Sequence, residues 1–216
     1  MTFRNYVMRF AAFASLSVFA LAEPTPPGRP LSDELSALLP RDCHHTGMFT
    51  QTRRVEGLSR VLNSSGAFVF SCEHGLIWST REPVSETLIY RHDNRHYQLL
   101  GDEITELRGP LHRELGAILT RLIGGDTAYI RQHFALELIT ETPLAIQLKP
   151  LKKRLQKRLA FIGLEARDAG MRITLGTADA TVLDLDQLRA LESLDSKTCI
   201  SLLPHLEQAC ASLLGS

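Results

Sequence analysis

Two short stretches place a thiol beside an imidazole: Cys43-His44-His45, and Cys72 with His74 two positions on. Such pairs can form an activated thiolate nucleophile or contribute ligands to a metal. Neighbouring histidines, however, do not converge on one metal without distant ligands. The other histidines, His92, His96, His112, His133 and His205, are scattered along the chain. The cysteines form an even set of four, Cys43, Cys72, Cys199 and Cys210, and in an oxidising compartment an even set points to disulfides. A cysteine tied in a disulfide is no nucleophile. Three pairings are possible. Cys43–Cys72 is favoured because it would tie the start of the domain to an early strand, and Cys199–Cys210 because it would close a short helical loop. No Cys-x-x-Cys, Gly-x-Ser-x-Gly, His-Glu-x-x-His or phosphate-binding loop occurs. The residues therefore single out no catalytic group, no metal ligand and no cofactor, and the chain reads as a non-enzyme.

The N-terminus supplies the compartment. Arg4 and Arg9 give a positive start, and an apolar run from Phe10 to Leu21 follows, broken only by Ser15 and Ser17. Ala20-Leu21-Ala22 then offers small residues at the positions a signal peptidase reads. The apolar run is about a dozen residues, short of the roughly 20 that cross a bilayer. Residues 1–22 are read as a signal peptide cut after Ala22, which exports the chain to the periplasm. No cysteine follows the cut, so the mature chain is not itself a lipoprotein of the usual kind. Residues 23–31 are a Pro-rich, flexible lead-in. Lys plus Arg and Asp plus Glu number 24 each, and the leader holds two of the arginines, so the mature chain is slightly acidic. That balance excludes the strong basic field that nucleic-acid binding needs. One basic cluster, Lys149, Lys152, Lys153, Arg154, Lys157 and Arg158, reads as a solvated helix face, with anionic lipid headgroups or an acidic partner as the second reading.

The spacing predicts a short helix beginning at Ser32, with Asp33 and Glu34 in its first turn and Pro40 past its end. Short β-runs follow at Ala67–Ser71, Leu76–Thr80 and Thr87–Tyr90, separated by turn residues, and continue through 95–100 and 103–107. Pro110 opens a helix with Leu111, Leu115, Ile118, Leu119 and Leu122 on one face, and Gly124-Gly125 stops it. Asp126 caps a second helix. Strands return at 135–140 and 144–148, a basic helix is expected over 152–160, and strands at 161–166, 172–175 and 181–185 complete the sheet. Residues 187–215 read as helical, broken near Pro204. The order is that of an α+β domain with a mostly antiparallel sheet.

The densest pattern lies between Phe49 and Pro83: Phe49-Thr-Gln51-Thr-Arg53, Gly57-Leu58, Ser64-Ser-Gly66-Ala-Phe68-Val-Phe70, Gly75-Leu-Ile-Trp78-Ser-Thr80, then Pro83. Phe49, Gln51, Gly66, Trp78 and Pro83 in this order resemble the periplasmic lipoprotein-carrier family LolA, in a divergent branch. Gly125-Asp126 before a helix, Phe134 opening a strand, Leu148-Lys149-Pro150 and the run from Asp179 to Leu183 extend the resemblance over roughly 33–186. Two positions depart from it. Cys72 stands where the main carriers keep an arginine that helps switch the lid, and Ala145 where the branch usually has a tryptophan.

The resemblance implies a curved antiparallel sheet forming an unclosed β-barrel with a helical lid, over a carrier domain at 32–186 with a helical tail at 187–216. It implies a pocket for acyl chains between sheet and lid. Phe49, Phe68, Phe70, Leu76, Trp78 and Leu88 are the sheet-side candidates, and Leu115, Ile118, Leu119 and Leu122 the lid-side ones. Each of these could instead be an ordinary core residue. The implied function is carriage of the acyl chains of a lipoprotein or other lipid-linked cargo toward the outer membrane, by a monomer, between an inner-membrane donor and an outer-membrane acceptor. The alternative is an envelope module that docks a protein through a sheet edge and carries no lipid.

Overall fold

The structure is a computed structural model that describes residues 30–55, 57 and 59–215; the side chains of residues 110–113 and 115 are outside that description. The leader, most of the lead-in, Leu58 and the Leu115 side chain therefore lie outside the described residues.

Eleven strands form one sheet in the order β6-β5-β4-β3-β2-β1-β11-β10-β9-β8-β7. Two meanders build it. The first is β1 (His44–Arg54), β2 (Leu62–Ser71), β3 (Gly75–Glu82), β4 (Glu86–Arg91), β5 (His96–Leu100) and β6 (Glu103–Glu106). The second is β7 (Phe134–Glu141), β8 (Leu144–Pro150), β9 (Ile162–Arg167), β10 (Gly170–Leu175) and β11 (Ala180–Ala190). Antiparallel pairing of β1 with β11, from His45 opposite Ala190 to Arg54 opposite Ala180, joins them. The edges β6 and β7 do not pair, so the barrel is unclosed. A twisted sheet of this many strands curls rather than staying flat.

The chain passes from edge β6 to edge β7 through α2 (Pro110–Ile123) and α3 (Thr127–His133). Pro110 sits in the first turn of α2, and Gly124 caps its end. The Asp126 carboxylate accepts from the Tyr129 N–H at 2.9 Å and caps α3. α1 (Leu31–Leu38) starts one residue before Ser32, carries no side-chain cap, and ends before Pro40.

On the concave face the apolar positions of β1–β4 and β8–β11 form one core with Leu35 and Leu38 of α1, Ile118 and Leu122 of α2, and Ile130 of α3. The convex face is divided. Over β2–β5, Val69, Ile77, Ile89 and Leu99 pack under α5 (Ser196–Leu202) and α6 (Glu207–Leu214). Over β7–β11 the convex face carries ion pairs instead, among them Arg172 bidentate on Asp184 at 2.7 and 3.0 Å, and Arg167 on Glu165 at 2.8 Å.

Two expectations need correction. Residues 187–190 are strand, not helix: Arg189 stands opposite Thr46 and Ala190 opposite His45, so the long β1 recruits them as its partner. Gln187 has a left-handed backbone, φ 50°, at the point where the register shifts. The helical reading holds for α5 and α6, which are broken at Leu203–Leu206 around Pro204. The basic helix is one turn only, α4 (Lys153–Gln156), because Leu155 and Leu159 turn into the core and the chain must then enter β9.

Candidate functional site

The first three strands build an aromatic stack on the concave face. Phe49, Phe68 and Trp78 come together because directly opposed residues of antiparallel strands share a face. Phe68 stands opposite Trp78, and Phe49 opposite Gly66. The Trp78 indole stacks on Phe49, centroids 3.9 Å apart and planes 23° apart, and lies nearly parallel to Phe68 at 5.8 Å. Two glycines let the rings lie flat. A Cβ at Gly66 would stand 2.8 Å from Phe49 Cζ and 1.9 Å from the Ser79 carbonyl oxygen; one at Gly47 would stand 2.8 Å from the Phe68 ring.

α2 closes over this face in the same way. A Cβ at Gly116 would lie 2.4 Å from the Tyr90 ring, and one at Gly124 would lie 2.4 Å from Phe70 Cζ. The helix therefore rests on two sheet aromatics through two positions that lack side chains. Burial first, and then the Glu86 charge, pushes the Tyr90 phenol up to about 12, so it stays protonated. Gly125, φ 66°, is packed against the Pro40 carbonyl, which docks the end of α2 onto the chain leaving α1.

Beyond Trp78 the filled core gives way to a hollow of about 400 Å³. Its floor is Trp78 and Leu88, its apolar rim Leu62, Pro83 and Val84, and its polar wall Gln51, Arg53, Asn63, Ser64, Thr80 and Glu86. Arg53 is ion-paired with Asp179, and the Glu86 carboxylate accepts from the Gln98 amide. A second hollow of about 570 Å³ adjoins it around the same strand ends, sharing Gln51, Asn63, Ser64 and Pro83. Volumes of this order suit small-molecule sites, which run at about 300–1,000 Å³.

Nine of the ten pocket candidates belong to this face. Phe49, Phe68, Phe70, Leu76, Trp78, Ile118 and Leu122 are buried in one core, with Leu88 and Leu119 half-buried against it. The tenth, Leu115, has its side chain outside the described residues. Only Trp78 and Leu88 reach the hollow; the others form the packed floor behind it. The polar wall was not singled out from the sequence, yet alternation carried its signal. Gln51 and Arg53 follow Phe49 at steps of two, and Ser64 and Leu62 precede Gly66 likewise, so all point to the same face.

The thiol–imidazole clusters resolve into structure. Cys43 and Cys72 are joined, as are Cys199 and Cys210, in the favoured pairing. The first bridge clamps the start of β1 to the end of β2, and the second ties α5 to α6. His45 is 2 % exposed, between Phe70 and Phe68 with ring centroids at 5.0 and 6.0 Å. Its Nδ1 lies 3.2 Å from the Asp42 carbonyl oxygen, and its Nε2 has no hydrogen bond of normal geometry, although the Ile123 peptide at the end of α2 is close enough to act on the ring. Burial holds its basicity below the ordinary imidazole value.

The chain matches no protein-family profile and no curated protein. Among solved structures it is similar to a LolA superfamily protein from Nitrosomonas europaea, at 10 % identity and a TM-score of 0.46, covering 77 % of this chain and 94 % of that one. It is also similar to a DUF1329 family protein from Desulfovibrio piger, at 11 % identity and a TM-score of 0.42, covering 77 % and 91 %. A third similarity is to a domain ascribed to outer membrane lipoprotein sorting from Vibrio parahaemolyticus, at 8 % identity and a TM-score of 0.44, covering 82 % and 97 %.

Proposed function

We propose that this chain is a divergent LolA-like carrier of the periplasm, which shelters the acyl chains of a lipoprotein or another lipid-linked molecule on their way to the outer membrane. The observation that carries the reading is the hollow beyond Trp78: an indole and a leucine for a floor, a polar wall, and an open side at the strand ends. A lipid tail needs no polar contact there. Each methylene removed from water is worth about 0.8 kcal/mol, so a handful offsets the cost of immobilising the chain. α2 acts as the lid, and cargo longer than the hollow enters the filled core as the helix lifts from Tyr90 and Phe70. The leader is removed after Ala22, and the two disulfides suit an oxidising compartment. An inner-membrane donor loads the monomer and an outer-membrane acceptor unloads it, without a cofactor and without catalysis.

The test is native mass spectrometry of the mature protein purified from periplasm, followed by organic extraction. A bound acyl species supports the reading and names the cargo class. A clean apo mass with no uptake of a fluorescent fatty-acid probe contradicts it. That outcome favours the docking module, for which edge strand β7 offers Leu138 and Ile139, 39 % and 56 % exposed.

A further inference from the structure

The segment between β8 and β9 concentrates charge of one sign. Between Glu141 and Glu165 the sequence holds six cations and no acid. Lys149 is paired with Glu137 across β7 and β8. Lys152, Lys153, Arg154, Lys157 and Arg158 are exposed and make no ion pair among the described residues. Lys153 with Lys157, and Arg154 with Arg158, are like charges four positions apart, which weakens a helical turn. A face that meets only water usually mixes both signs. Here packing holds the charges together. Leu155 and Leu159 are buried in the concave core, the Leu159 N–H donates to the Leu155 carbonyl at 2.9 Å, and the Gln156 amide donates to the Pro150 carbonyl at 2.6 Å. The five cations therefore stand outward on a fixed platform. Beside them Leu151 is 54 % exposed, its N–H held by the His133 carbonyl at 2.9 Å.

Strand register puts this platform on the same rim of the sheet as the hollow. Pro150 ends β8, Leu148 stands opposite Ile162, and Ile162 opposite Leu175. Leu175 stands opposite Thr181, and Ala180 opposite Arg54 at the end of β1. Carboxylates collect at the other end of this rim, at Glu82, Glu86, Asp102 and Glu103, so the rim is polarised. We propose that Leu151–Arg158 is a docking surface for an anionic phospholipid bilayer. The cations meet the phosphate-bearing head groups, and Leu151 enters the head-group layer. An acidic protein surface would satisfy the cations and leave the leucine without an apolar partner, whereas a bilayer serves both. Docking here turns the rim, and the mouth of the hollow with it, toward the bilayer. That gives the proposed carrier a place to load or unload, but the docking does not depend on the hollow holding an acyl chain.

The experiment measures binding of the mature protein to vesicles of phosphatidylcholine alone and to vesicles containing one third phosphatidylglycerol. The expected result is binding to the mixed vesicles only, weakened by added salt. Near such a surface each Lys or Arg is worth about fivefold in affinity, so Lys153→Gln with Lys157→Gln should weaken binding about 25-fold. Leu151→Ser should weaken it severalfold. These side chains are exposed, so thermal unfolding of the variants should match that of the parent protein. Equal binding to both vesicles, no binding to the mixed ones, or binding that the lysine changes leave intact overturns the proposal. Binding to polyglutamate without binding to either vesicle overturns it in favour of an acidic protein partner. Acyl-probe uptake by the double lysine variant should be normal. A protein that binds the mixed vesicles but takes up no acyl probe upholds the docking surface and contradicts the carrier reading alone.

Discussion

The Trp78 indole lies on the Phe49 ring, centroids 3.9 Å apart, and the tip of that ring fills the space that the missing side chain of Gly66 leaves open. Three residues from three adjacent strands thus set the boundary between filled core and open hollow. Trp78→Ala should cost about 3–5 kcal/mol, the range for deleting a large buried aromatic, and should merge the hollow with a new cavity. Equilibrium urea unfolding measures the first effect, with circular dichroism as the signal since the variant has lost the only tryptophan. A loss under 1 kcal/mol would show that the stack is not the keystone of this face.

Gly116→Ala sets two effects against each other. Alanine improves helix propensity by roughly 1 kcal/mol. Its Cβ, however, would stand 2.4 Å from the Tyr90 ring, which is wedged between sheet and helix and cannot swing away. Overpacking of this kind costs about 1–3 kcal/mol, so the net effect should be destabilising and should loosen α2. Uptake of a fatty-acid probe longer than the hollow should become faster, while a disulfide engineered between α2 and β4 should abolish it. Uptake at the normal rate in the cross-linked protein would rule out a moving lid.

The C-terminal hairpin should behave as a cover for the first meander. Cys199→Ser with Cys210→Ser removes the constraint on α5 and α6, typically about 2–4 kcal/mol. Hydrogen exchange should then accelerate in β3 and β4, whose Ile77 and Ile89 the hairpin buries, and not in β8–β10. Uniform acceleration across the sheet would contradict this division of the convex face.

Acid should weaken the fold through His45 and His92. Burial lowers the basicity of His45 in the folded chain below its ordinary value of 6.5, and burial lowers that of His92 likewise. The unfolded chain therefore binds protons first as pH falls. The stability is fully present above about 6.5 and declines below it, until the folded-state values are reached. His45→Phe should flatten the part of this slope owed to His45. An unchanged slope between pH 7 and 5, followed by urea midpoints, would place the sensitivity elsewhere.

Much of the fold was legible because β-alternation is written in large residues. Phe68 and Phe70 mark one face of β2, and Leu76 and Trp78 mark one face of β3. The cover on the other face was legible too. Val69, Ile77 and Ile89 sit between those residues and are equally apolar, and a strand apolar on both faces needs packing on both. Residues 187–190 could not be read locally. Gln187-Leu-Arg-Ala190 consists of good helix formers, and the edge of β1 that β2 leaves open draws it into the sheet. The hollow was half legible. Its floor follows from Trp78, while its polar wall depends on how far β1 and β2 run past the core, which spacing alone does not reveal.

Trp78 is the chain's one tryptophan and forms the floor of the hollow, so its emission reports directly on the central claim. The measurement is titration of the mature protein with a fatty acid brominated along its chain, beside the unbrominated acid. If acyl chains enter the hollow, the brominated acid quenches Trp78 saturably, the plain acid does not quench, and the plain acid competes the quenching away. If the brominated acid leaves the emission unchanged while binding elsewhere or not at all, the hollow is not an acyl-chain site and the carrier account fails.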